Sequence, residues 1–137
     1  MPLDAKRSKQ FKPAASGDKH IKRVRKICLG LPNVTEKISH GEPTFFVSNR
    51  VFAMFANNHH NDGHIAVWAA APAGLQEALI EEAPETYFRP PYVGPSGWIG
   101  IELAQVNDAV LAAHLKEAHE IIRAKAFKTK RVKKVSV

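Results

Sequence analysis

The chain has 137 residues, 45% of them hydrophobic, which suits one domain with a core of its own and excludes a mainly disordered protein. Its lone Cys28 excludes an internal disulfide, and no apolar run is long enough to span a bilayer. The net charge of +7 is unevenly placed: residues 1–26 hold nine Lys/Arg against two acids, residues 123–137 hold seven against none, and residues 27–122 hold four against eleven.

Residues 1–17 mix Lys, Arg, Ser, Gln and Pro with few apolar side chains, the composition of a disordered basic arm. The arm lacks the apolar centre of a secretory signal, so a cytoplasmic address is expected. Ser16 or Asp18 can then cap a helix whose apolar positions Ile21, Val24, Ile27, Cys28 and Leu31 follow helical spacing, with Gly30 and Pro32 ending it. Its other face is cationic, with Lys19, Lys22, Arg23, Arg25 and Lys26, while Cys28 reads as a buried, inert thiol. Residues 34–40 read as an edge strand before the Gly41 and Pro43 turn.

Residues 44–70 are three runs of β-branched and aromatic residues broken at Ser48-Asn49-Arg50 and at Asn57 to Gly63, which predicts a three-stranded antiparallel meander. A two-residue loop at Asn49-Arg50 would put Phe45, Val47, Phe52 and Met54 on one face, against helices. Phe46, Phe55 and Trp68 would remain on the opposite face, which is apolar enough to need a cover. Pro72, Leu75, Ala78, Leu79 and Ala83 predict a helix that stops at Pro84, and Thr86-Tyr87-Phe88 a short strand. The loop from Arg89 to Gly97 leads into a last strand, Trp98 to Leu103. Asn107 then caps a long helix with Val110, Leu111, Leu115, Ala118, Ile121 and Ile122 on one stripe, and a disordered basic tail is expected over 125–137. The predicted order is α-β4-α-β(1-2)-α, an α+β domain over residues 18–124 with a mostly antiparallel sheet packed in two layers against helices.

The spacing Leu31-Pro32, Ser39-His40-Gly41-Glu42-Pro43-Thr44-Phe45, Val51-Phe52-Ala53, Phe88-Arg89-Pro90, Gly97-Trp98 and Leu103 resembles the MmcQ/YjbR-like family over about residues 19–124. The resemblance implies the same two-layer α+β fold. It also implies DNA binding, since family members are described as DNA-binding from hairpins that look like a double-wing motif. By that analogy the wings are Ser48-Asn49-Arg50 and the segment from Arg89 to Trp98, with Arg50 and Arg89 offered to phosphates.

The residues themselves point to weak, largely sequence-independent DNA contact by the basic ends and by Lys22, Arg23, Arg25 and Lys26, with Phe11 and Phe127 as possible stacking groups. A rival reading is a small-ligand or protein-binding module with a pocket between residues 39–43 and 89–98, for which His40, Glu42, Tyr92 and Trp98 are the candidates. A second rival is a metal-dependent enzyme using His59, His60, Asp62 and His64, although the Asn61-Asp62-Gly63 turn makes hairpin decoration the simpler role. No Gly-rich phosphate loop, nucleophile elbow, paired-Cys motif or triad occurs, so a non-enzymatic protein without a resident metal or cofactor is expected.

Overall fold

Helix α1 (Ala15–Leu29) opens the structure, a computed structural model that describes the backbone of residues 15–135 and the side chains of residues 17–129. Most of the expected basic arm, residues 1–14, lies outside the described residues. Then come β1 (Val34–Ser39), β2 (Glu42–Val47), β3 (Arg50–Asn57), β4 (Ile65–Ala69), α2 (Leu75–Glu82), β5 (Tyr87–Phe88), β6 (Ile99–Glu102) and α3 (Asp108–Val135). The six strands form one antiparallel sheet in the order β1-β2-β3-β4-β6-β5. Helix α3 continues to Val135, so the segment expected as a disordered tail from residue 125 is helical over most of its length.

The β2–β3 hairpin closes at Ser48-Asn49, not at Asn49-Arg50, with Val47 opposite Arg50. Both turn residues have positive φ, 53° and 64°, the backbone that two-residue hairpin loops require and that Asn adopts readily. Phe46 then faces Val51 while Phe45 faces Ala53, which leaves Phe52 as an extra residue in β3. This β-bulge reverses the facing of everything that follows it in the strand. Phe45, Val47 and Phe52 face the helices as the pattern predicts, but Phe55 joins them and Met54 turns to the other side, the reverse of the predicted assignment.

The main core lies between the sheet and helices α1 and α3. It includes Val24 and Cys28 from α1, Phe45, Phe52, Phe55, Val67, Ile99 and Ile101 from the sheet, and Leu111, Leu115 and Ala118 from α3, all buried. Burial pushes the Cys28 thiol well above its ordinary pKa, so it stays protonated and unreactive. Asn107 caps α3 as its spacing predicts, its Oδ1 accepting from the Val110 N–H at 2.9 Å.

On the opposite face a second cluster forms from Met54, Ala56 and Trp68, covered by Phe88, Val93 and Trp98. The register carries Thr44, Met54, Trp68, Gly100 and Phe88 side by side across five strands. Gly100 is required in that row because the Phe88 ring occupies the space of its missing side chain; an added Cβ would sit 2.5 Å from the ring. The ring is itself stacked on His64, at 4.0 Å between centroids and 8° between planes. Gly100→Ala should therefore cost about 1–3 kcal/mol in urea unfolding, because the ring is wedged and cannot swing away as a flexible chain end would.

Two histidines, the buried His20 and the half-buried His114, set a pH dependence. Burial lowers the pKa of both; at His20 the charges of Arg23 and Lys19 lower it further, whereas Glu117 partly opposes the shift at His114, whose Nε2 lies 2.8 Å from the Tyr87 hydroxyl. The unfolded chain takes up these protons near pH 6.5 and the folded one resists, so stability is full above that pH and falls below it. The melting temperature should fall between pH 7.5 and 5.5, and His114→Gln should flatten that fall.

Candidate functional site

A cleft of about 670 Å³ opens on the face of the sheet opposite α1 and α3. Thr44, Met54 and Trp68 belong to the sheet row just described, and Trp98 and Val93 form a wall above it. Ser39 and His40 enter from the β1–β2 turn, His59 and His60 from the β3–β4 connection, and Tyr92 from the loop after β5. The sequence candidates His40, Tyr92 and Trp98 are thus brought together, with a lining that holds neither Lys or Arg nor Asp or Glu. Glu42 stands one layer behind: its Oε2 is 3.1 Å from His59 Nδ1. Burial raises the Glu42 pKa, and His59 partly offsets that shift.

Three residues at this cleft, His40, His60 and Tyr92, have left-handed backbones, with φ of 53°, 54° and 65°. Such a conformation is uncommon for a side chain as bulky as Tyr, and costs on the order of 1 kcal/mol or more, so surrounding structure must hold it. Tyr92 is 74% exposed, and its hydroxyl lies 3.3 Å from His60 Nε2. The wall is pinned from α2 by Gln76, a buried side chain whose Nε2 donates to the carbonyls of Gly94 at 2.9 Å and Trp98 at 2.6 Å. Gln76, Trp68 and Met54 carry no motif, and only the three-dimensional register reveals their place. The indole N–H of Trp68, a residue 2% exposed, has no acceptor among the described residues.

The cationic candidates lie mostly on the other layer, and they divide by partner. Arg23 is a structural bracket: Nε donates to Asp108 Oδ1 at 2.6 Å, Nη1 to the Leu103 carbonyl at 2.7 Å and Nη2 to the Val106 carbonyl at 2.7 Å. Arg25 makes a two-pronged pair with Glu36, both bonds 2.7 Å. Lys22 and Lys26 are exposed and, with Lys19, line a shallow groove between α1 and α3 of about 820 Å³. Arg50 is exposed at the hairpin tip, with Nη2 3.2 Å from Thr129 Oγ1, which sets the tip beside the basic half of α3. Arg89 is exposed too, but its stem lies against Gly94, and the segment after it folds back over the sheet.

The histidines of residues 59–64 do not share one centre, although the His59 and His60 rings lie 4.2 Å apart. His59 meets Glu42 and the Trp68 ring, His60 meets Tyr92, and His64 pairs with Glu102 while stacking on Phe88. Among the described residues no three His, Cys, Asp or Glu side chains converge as a metal site would require. His119 is occupied as well, its Nε2 donating to the Pro32 carbonyl at 2.8 Å. Among the described residues no helix is long and apolar enough to cross a membrane.

Helices on a six-stranded antiparallel sheet, with a cleft under the loop that follows β5, define an α+β domain of two layers. The family model described as YjbR matches residues 29–121, and the chain belongs to that family. The fold is similar to the crystal structure of Deinococcus radiodurans protein DR2400, described as a DUF419 domain. The TM-score is 0.68 at 16% identity, covering 85% of this chain and 88% of that one. No curated protein matches the chain.

The division of the cations by partner has a measurable consequence. Arg23→Ala should lower stability by roughly 1–3 kcal/mol, since it strands two partly buried carbonyls and frees the start of α3 from α1. Lys22→Ala should stay within about 0.5 kcal/mol of the parent in the same urea titration, as exposed substitutions do.

Proposed function

We propose that the protein binds duplex DNA weakly and with little sequence preference, through its helical layer. The observation that carries this reading is the row Lys19, Lys22 and Lys26. These positions fall on one side of α1, span about 10 Å of helix, and make no ion pair among the described residues. The one acid lining their groove, Asp108, is already taken by Arg23. DNA carries a charge every ~1.7 Å of its axis, so a row of that length faces several phosphates at once.

Two further features support the same layer. Arg50 stands next to Thr129 on α3, and α3 carries the exposed Lys125 and Lys128 in the turn before Thr129. Arg23 and Arg25 are given no phosphate role, because carboxylates and carbonyls already hold their guanidinium groups. Lysine on a flexible stem is a point charge and does not read base edges in a fixed geometry, which fits contact with phosphates and little sequence preference. The proposed role is binding, with no chemical step.

The test is fluorescence anisotropy of a labelled duplex across a salt series with the full chain. Lys19→Ala/Lys22→Ala/Lys26→Ala should weaken binding at low salt and reduce the slope of log K against log salt by about 2 to 3. If this triple variant binds like the parent while Arg50→Ala/Arg89→Ala does not, the contact lies at the hairpin tip and the loop after β5, and the lysine row of α1 is the wrong surface.

A further inference from the structure

The cleft on the opposite face takes no part in that role. We propose that it is a binding site for a small, flat, uncharged heteroaromatic molecule that carries a hydrogen-bond acceptor next to a donor.

Its size and lining set the class. A volume of about 670 Å³ lies within the range of small-molecule sites, and the walls are supplied by Trp68, Trp98, Tyr92 and Met54. Indole, phenol and thioether groups favour a flat ring, by stacking and by sulfur contact. No Lys, Arg, Asp or Glu lines the space, so while its histidines are neutral a fully charged ligand would lose its hydration with no counter-charge to replace it.

The polar atoms set the pattern. The buried indole N–H of Trp68 lacks an acceptor among the described residues, and a buried donor left unpaired is costly. A ligand acceptor seated against Trp68 would satisfy it after a small shift of the indole. His59 has Nδ1 committed to Glu42, so its polar contact with a ligand is made through Nε2. With Glu42 ionised and the imidazole neutral, Nδ1 carries the proton and Nε2 offers a lone pair, which takes a ligand donor. Trp68 and His59 are neighbours, edge to face at 5.4 Å, so acceptor and donor must lie close together on one edge of the ring.

The mouth is already shaped. His40, His60 and Tyr92 have left-handed backbones, and Gln76 fixes the Trp98 wall through two backbone carbonyls. A preformed site of this kind needs little rearrangement to bind.

The protein's two tryptophans both line the cleft, so their indole N–H resonances report on it. The probe is quinazolin-4-one, a neutral bicyclic ring with a carbonyl beside an N–H, titrated into ¹⁵N-labelled full chain, with benzoate and benzamidinium as charged comparators. Saturable shifts of both indole resonances with quinazolin-4-one, and much weaker ones with either ion, are expected. Tyr92→Ala, an exposed change that leaves the core intact, should weaken binding several-fold, and Trp68→Phe by about tenfold, the worth of one hydrogen bond. Indole resonances that stay unmoved at millimolar probe would overturn the proposal. So would tighter binding of benzoate or benzamidinium, which would make this a site for a charged ligand.

Discussion

The extra residue in β3 decides what each side of this molecule can be. Without the bulge at Phe52, strict alternation would send Met54 into the helical core and Phe55 out to the other face. With it, Phe52, Ala53 and Phe55 all serve the core beneath α1 and α3, and the smaller Ala56 and the adaptable Met54 join Trp68 on the far side. A Phe in the place of Met54 would fill the floor of the cleft with a rigid ring. The bulge thus places bulk where helices cover it and leaves space where the loop after β5 makes a roof.

That arrangement separates two kinds of surface by the thickness of a sheet. The helical layer bears the lysine row of α1, and beside it Arg23 and Arg25 neutralise Asp108 and Glu36. The far face bears aromatic rings and imidazoles, and the carboxylate of Glu42 stands behind His59. A polyanion is attracted to the first surface and finds no cation lining the second, while a neutral ring finds walls only on the second. Likeness to other YjbR proteins defines the fold that carries both surfaces, and the chemistry of each rests on its own residues.

Much of the fold is legible in the sequence, for identifiable reasons. Helical spacing in α1 and α3, the Asn107 cap and the β-rich meander are local signals, and each sets a structure where it stands. The hairpin register was not local in that sense. A loop at Asn49-Arg50 and the true one at Ser48-Asn49 differ by two in pairing, which preserves the faces of Phe45, Val47 and Phe52, and only the bulge reverses Met54 and Phe55. Nothing in the residue pattern marks Phe52 as the extra residue, since its reason is the fit between strands. The site was legible to the same extent. His40, Tyr92 and Trp98 stand in a turn and a loop whose composition draws notice, whereas Trp68, His59 and Gln76 acquire their roles through partners far away in the chain. Charge alone could not rank the arginines and lysines of α1, because Arg23 and Arg25 find their partners at Leu103, Val106, Asp108 and Glu36.

Hydrogen exchange with and without a duplex DNA at low salt reads whether the two faces have separate roles. Slowed exchange is expected in residues 19–27 and in the exposed turns of α3, with residues 39–44 and 92–98 unchanged. Slowed exchange confined to residues 48–50 and 89–98 would contradict that separation, and would place the nucleic acid across the loops and over the mouth of the cleft.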